Sequence, residues 1–261
     1  MHGLHSARRG VFDVVAIAVM LLAMGRIVVA QVGAAANTAP ATVLRETTGQ
    51  ATTGQGSPAP TVYEPGDIYL AGSRAYALVG KTGFGHEHGV IGQLLPSKLQ
   101  LGATQNAGRL DFDLRTFSAD DDAARKYVGL EGTTAPATRQ EVNANMLGAA
   151  VLDVGHFPAA SFVVRSAQRL PQPSQRGLVQ YQLDGDFTFH GVTRPLSVVA
   201  EAEEQGGWTK LRGGFRLVQS QFGITPFSKA FGAVGVADEV KVYGDLWIAK
   251  ERQVMAATAS R

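Results

Sequence analysis

The sequence predicts a mostly β fold, an antiparallel barrel or sandwich with one or two short helices, on three observations. First, the run Val179–Phe189 alternates in polarity with period two. Val179, Tyr181, Leu183, Phe187 and Phe189 take the odd positions, and Gln180, Gln182, Asp184 and Asp186 the even ones. Side chains alternate faces along a strand, so this run has one dry face and one wet face. Second, a Gly-Val-Thr-Arg-Pro corner at 191–195 leads into a second run. There Leu196, Val198 and Ala200 oppose Ser197 and Glu201, with Val199 the exception. Glycine and proline end strands and bend chains, so the pair reads as a hairpin. Third, the same grammar recurs elsewhere, punctuated by turn residues at the intervals of all-β folds.

In chain order, Arg8 and Arg9 precede an apolar run from Val14 to Gly25, and Val28-Val29-Ala30 offers small residues at cleavage spacing. That is the layout of a secretory signal peptide over 1–30, so periplasmic or secreted export is expected. The rival is an uncleaved transmembrane anchor. A span needs about 20 apolar residues, and Asp13 and Arg26 bracket a shorter run. The chain is therefore expected not to span a membrane after cleavage. The paired arginines fit a twin-arginine signal poorly and read as a plain basic leader. Residues 31–61 are rich in Ala, Thr, Gly, Gln and Pro with almost no large apolar side chain. Such a segment buries too little to offset its ordering entropy and reads as a flexible linker. The folded domain is expected over 62–250, with 251–261 as a C-terminal tail.

Within the domain, strands are expected at 68–79, in two short runs around Pro96 at 90–101, and at 109–114 and 161–170. The hairpin follows, then strands at 208–218 and 239–249. The polar stretch 118–127 reads as a helical turn. Residues 138–147 carry Val142, Met146 and Leu147 at helical spacing and read as the one clear helix.

Composition excludes several classes of function. Apolar content of 45% and charged content of 18% suit a globular chain, not a disordered or integral-membrane one. Removing 1–30 takes away Arg8, Arg9, Arg26 and Asp13 and leaves 21 basic against 21 acidic residues. A neutral chain has no general pull on nucleic acid or acidic lipid. The lack of cysteine excludes disulfides, thiolate metal sites, a cysteine nucleophile and a lipidated N-terminal cysteine.

Three segments resemble one family: LDVGHFPAASFVV at 152–164, DGDFTFHGVTRPLSV at 184–198, and FGITPFSKAFGAVGVADEVKVYGDLWI at 222–248. Together with an opening strand and a Gly-His-rich loop, they are similar to the YceI-like proteins, also called polyisoprenoid-binding or lipocalin-like periplasmic proteins. The resemblance covers about 62–249. It implies an extended, antiparallel, lipocalin-like barrel of eight strands holding a long isoprenoid chain. It also implies export and a homodimer, for which Tyr243 and Trp247 are outward aromatics, although such residues also pack on loops. The stretch 120–148 departs from the short Arg-Asp-His-Leu type of loop associated with the family, which puts ligand identity in question more than fold.

The barrel reading places Leu110, Phe112, Tyr181, Phe187, Phe189, Phe215, Leu217, Val242 and Leu246 in the interior. Small barrels fill that space with side chains, whereas slightly wider ones keep a cavity for one ligand. An isoprenoid tail would bind by burial of many CH₂ groups, at about 0.8 kcal/mol each before ordering costs. The ligand that the resemblance implies is a non-covalent isoprenoid-like lipid or quinone, with no cofactor. Three histidines are candidates for the head group or barrel mouth: His86, His88 and His190. On a strand, His86 and His88 of Gly-His-Glu-His-Gly share a face, a spacing that chelates metal if a third ligand arrives, from His156, His190 or an acidic residue. The simpler reading is a turn whose histidines bond to carbonyls or water. His190 sits beside the Gly191 corner and reads as its cap. Asp120, Asp121 and Asp122 do not match a calcium loop and read as a solvated acidic turn. No Gly-x-Ser-x-Gly elbow is present, and Gly83 and Gly85 open no helix that would cradle a phosphate. No catalytic residue is expected. The rivals to a lipid carrier are a metal-binding protein or metal-dependent enzyme using His86 and His88, and a ligand-free interaction module.

Overall fold

The computed structural model describes residues 61–255. The signal-peptide reading, the linker save Thr61, and residues 256–261 of the tail lie outside the described residues. In chain order the elements are β1 Thr61–Tyr63, β2 Arg74–Gly83, β3 His88–Leu94, β4 Lys98–Leu99 and β5 Gly108–Ala119. Helices α1 Asp122–Tyr127 and α2 Pro136–Leu147 follow. Then come β6 Ala159–Arg169, β7 Val179–Phe189, β8 Val192–Gln205, β9 Trp208–Val218, β10 Ser228–Lys229, β11 Val234–Ala249 and β12 Gln253–Met255. Strands β2, β3, β5, β6, β7, β8, β9 and β11 pair antiparallel in that order, and β11 pairs with both β9 and β2. The sheet thus closes on itself as the expected ring of eight strands. Both helical segments form where the sequence indicates.

Two strand boundaries differ from expectation. Ile68 makes a single bridge to Ile248, and β2 begins only at Arg74. Between them the N–H groups of Gly72 and Ser73 both donate to the Tyr69 carbonyl, so the chain turns before it extends. At the other end β11 starts at Val234, five residues early, because Val234–Val236 pairs with Lys81–Gly83 across a bulge. That stretch lacks alternation, and backbone pairing alone makes it a strand. Part of the region read as a tail also folds: β12 pairs with β1 in a two-stranded sheet.

Directly opposed residues on neighbouring strands share a face, which makes the interior explicit. Val240 faces Leu217 and Val79, Val242 faces Phe215 and Ala77, and Leu246 faces Leu211. On the outside, Tyr127 of α1 stacks on Tyr76 with ring centroids 3.6 Å apart and meets Tyr243 edge-on at 6.1 Å. Burial, then the charge of Asp245, pushes the Tyr127 hydroxyl up to about 12. Trp247 lies under the Lys210 ammonium, 4.8 Å from the ring centre. Both outward aromatics are therefore engaged within the chain.

One end of the ring is filled. Leu99, Leu110, Leu183, Leu211, Leu246 and Ile248 are buried there with Ala167 and Ala202 between them. The segment that carries Ile68 and the short strand β4 that carries Leu99 close that end through Ile68 N–H to Ser97 O, 3.1 Å, and Leu99 N–H to Gly66 O, 2.8 Å.

Candidate functional site: a hollow end and a buried charge cluster

At the other end, where β3 begins and β5 stops, side chains leave a cavity of about 210 Å³. Its wall comes from alternate residues of the ring, including Ala77 and Val79 of β2, Val90 of β3, Phe189 of β7, Leu217 of β9 and Val240 of β11. Helix α2 adds Val142 and Met146, one helical turn apart and so on one face. A bulge where β5 meets β3 brings Phe117 into the wall. Gly92 makes this feasible, since a Cβ there would stand 2.1 Å from the Phe117 ring. A second cavity of about 70 Å³ lies toward the filled end, lined by Leu110, Phe162, Leu183, Leu211 and Leu246 among others. Phe112, Phe187, Phe215 and Val242 line both, so these rings form the partition. Phe187 meets Phe215 edge-on at 5.5 Å.

Polar chemistry gathers at one point of the hollow end. His88 opens β3 opposite Val79, which turns its ring to the interior face, and it lines the larger cavity. Its Nδ1 lies 2.8 Å from Asp120 Oδ2. The other carboxylate oxygen, Oδ1, accepts from Gly89 N–H and from Arg125 Nη1, both at 3.2 Å. Arg125 also donates from Nε to Gly132 O at 2.9 Å, and from its second terminal nitrogen to Glu131 O. Asp120 is wholly buried, contrary to the expected solvated acidic turn. It leaves β5 at φ +58°, in a left-handed conformation that aspartate tolerates better than most residues. Arg125, in the last turn of α1, supplies the countercharge. Burial alone would raise the Asp120 carboxyl, but the hydrogen bond and charge of His88, with the Gly89 N–H, hold it below the usual carboxylate range. Asp121 caps α1 and Asp122 is exposed in its first turn.

The predicted site residues separate into groups. Phe112, Phe187, Phe189, Phe215, Leu217, Val242 and His88 line the larger cavity, whereas Leu110 and Leu246 line only the smaller one. Tyr181 packs against the core but lines neither cavity, because its position on β7, opposite Arg169 and Ala200, lies at the filled end. His190 also lines neither. It sits in the β7–β8 turn at φ +49°, with Nδ1 3.2 Å from Phe222 O, as a turn cap. His156 is exposed and pairs with Asp153. His86 is exposed before β3 rather than on it, its ring centre 4.5 Å from that of His88. Burial, then the neighbouring His88, pushes its imidazole below the usual range.

Ligand atoms of His86, His88 and Asp120 come within 4.8 Å of one another, so the third group that the histidine pair lacked does arrive. Both Asp120 oxygens are already engaged, however, and a cation would have to compete with Arg125 for them. Around the hollow end the loops are bare. Phe84 and Phe231 project into solvent from neighbouring tips joined by Phe84 N–H to Ala233 O, 2.9 Å, and Phe231 is held at φ +54°.

The family model of the YceI-like domain matches residues 83–247 of this chain. The chain belongs to the YceI-like family. Its structure is similar to that of BcnA from Burkholderia cenocepacia, at 18% identity and a TM-score of 0.44, over 70% of this chain and 100% of that one. It is also similar to a polyisoprenoid binding domain from Saccharophagus degradans implicated in plant cell wall breakdown. There the identity is 10% and the TM-score 0.44, over 73% of this chain and 98% of that one. No curated protein matches.

Within this YceI-like domain, sequence reasoning missed the Asp120–Arg125 pair and the α2 wall. The α2 stripe was legible as Val142 and Met146 at helical spacing, and only its target was hidden. Nothing local marks Asp120 apart from Asp121 and Asp122.

Proposed function

We propose that this YceI-like protein is an exported carrier that binds an amphiphilic, isoprenoid-like lipid in the hollow end of its barrel and shields the chain from water. The observation that carries this reading is the apolar cavity inside the ring. At about 24 cal/mol per Å³, leaving 210 Å³ of apolar interior unfilled costs about 5 kcal/mol, a large share of a domain's stability. A hydrocarbon chain recovers that cost as it is buried. Family membership and the apolar leader at the N-terminus support the lipid class and export respectively. Binding and release then suffice for function, with no bond made or broken in the ligand.

The test is native mass spectrometry and organic extraction of the mature protein, purified without detergent from its exported fraction. A co-purifying polyprenyl compound or quinone supports the proposal. A clean protein mass, with no uptake of an added long isoprenoid, sinks it.

A further inference from the structure

Two histidines and a carboxylate converge where the β2–β3 loop meets the end of β5. Among the described residues, no other group of three or more His, Asp or Glu side chains brings its ligand atoms within 4.8 Å of one another, as His86, His88 and Asp120 do. The first two lie at i and i+2 in Gly-His-Glu-His-Gly, and the left-handed turn at Asp120 delivers the third.

Backbone contacts hold the loop in place for this meeting. A Cβ on Gly85 would stand 2.9 Å from Gly235 O, and one on Gly89 would stand 3.0 Å from the backbone of Ala124 and Arg125. Glycine at both positions therefore lets the pentapeptide lie tight against β11 at one end and α1 at the other. Asp120 N–H donates to Gly89 O at 2.7 Å, and Gly89 N–H donates back to Asp120 Oδ1 at 3.2 Å. A site fixed this way loses little freedom when an ion arrives.

Arg125 does not block it. The guanidinium lies on Oδ1 of Asp120, while Oδ2 lies 2.8 Å from Nδ1 of His88. An ion that displaces the proton between Nδ1 and Oδ2 to solvent needs those atoms about 3.3 Å apart, the edge of a tetrahedron with bonds of about 2.0–2.1 Å. His86 then has to close in by about 1.5 Å on the same geometry, and as an exposed side chain it can do so by rotation. The charge of Arg125 lowers the affinity, but it is shared with the Glu131 and Gly132 carbonyls and takes no ligand atom on the Oδ2 side. Two imidazoles and one carboxylate suit zinc and its neighbours, whereas magnesium and calcium prefer oxygen alone.

We propose that His86, His88 and Asp120 hold one divalent transition-metal ion of the zinc class, with water in the fourth position, in a site separate from the lipid reading. The ion enters from the solvent side, past His86, and ties the loop before β3 to the end of β5.

The test uses the untagged mature protein, stripped with EDTA and titrated with Zn²⁺, Mg²⁺ and Ca²⁺. About one Zn²⁺ per chain should bind and raise the thermal unfolding midpoint, and Mg²⁺ and Ca²⁺ should do neither. His86→Ala should unfold like the metal-free wild type, because that ring is exposed, yet bind Zn²⁺ at least about 100-fold more weakly, since even outer groups of such sites are worth 10–100-fold. His156→Ala, at the exposed pair with Asp153, should bind Zn²⁺ as wild type does. In NMR spectra of wild type, the ring ¹⁵N signals of His86 and His88 should move together on Zn²⁺ addition. No Zn²⁺ uptake, uptake that His86→Ala leaves unchanged, a preference for Ca²⁺ or Mg²⁺, or a response confined to His86 overturns the proposal.

Discussion

The two ends of the ring are built from the same eight strands and reach opposite outcomes. At the filled end, leucines from β5, β7, β9 and β11 come together, and Leu99, delivered by the short strand β4, is wholly buried with them. At the hollow end β5, β7 and β9 carry phenylalanines and β11 carries valines, and the β2 and β5 positions facing them are small: Ala75, Ala77 and Ala119. Large rings standing beside small residues leave about 210 Å³, against about 70 Å³ beside the leucines. The filled end closes with backbone hydrogen bonds between loops. The hollow end closes with a buried Asp–Arg–His cluster and a helix. One end is a core, and the other is a core with a volume withheld from it.

Substitutions at the two ends should separate them. The largest expected effect is Asp120→Asn, which leaves Arg125 without its buried partner and should cost about 3–5 kcal/mol in denaturant unfolding. The same group predicts a pH dependence. Because the folded-state carboxyl is held below its ordinary value, its contribution is fully present above about pH 4 and is lost as pH falls through the folded value. Acid titration of wild type against Asp120→Asn should show the two stabilities converging below about pH 4. Parallel curves would remove the charge cluster from the account.

Leu99→Ala at the filled end should cost about 4 kcal/mol, since the truncation opens a new cavity in a closed core. Phe215→Ala should cost about 3 kcal/mol in unfolding and join the two cavities. It should also raise the affinity for the C20 alcohol geranylgeraniol relative to farnesol by about tenfold, because the added isoprene unit gains a place to be buried. A chain-length preference unchanged from wild type would mean that the rings are not a partition. Leu217→Ala should cost only about 2 kcal/mol, as its side chain already borders open volume. Equal losses for Leu99→Ala and Leu217→Ala would break the distinction between the two ends. The smallest effect expected is at the rim. Phe231→Gly should stabilise the ligand-free protein by about 1 kcal/mol, since a non-glycine left-handed residue is strained and an exposed ring contributes no packing. Thermal unfolding of the two forms measures it.

Most of the ring was legible in the chain. Period-two alternation marks β7, β8 and β9, and the inward set Leu183, Phe187, Phe189, Leu211, Phe215, Leu217, Val242 and Leu246 follows from parity. The start of β11 was not legible. Its first residues, Val-Gly-Val-Ala-Asp, show no sustained alternation, and pairing with β2 and β10 makes them a strand. Tyr181 shows the limit of parity, which assigns a face of the sheet but not a height along the axis. The strand tilt and register that set the height belong to the closed ring.

The sequence by itself determined the fold class, the hairpin corner, the two helical segments and the identity of the inward faces. These depend on the local stereochemistry of a strand or a helix, which each residue carries with it. Only the tertiary structure decided that one end is filled and the other hollow, because a cavity is a volume left by residues far apart in the chain. It also decided that Asp120 is buried while Asp121 and Asp122 are not. Three adjacent aspartates are equivalent on paper, and a left-handed turn against Gly89, His88 and Arg125 gives one of them a countercharge and an interior place.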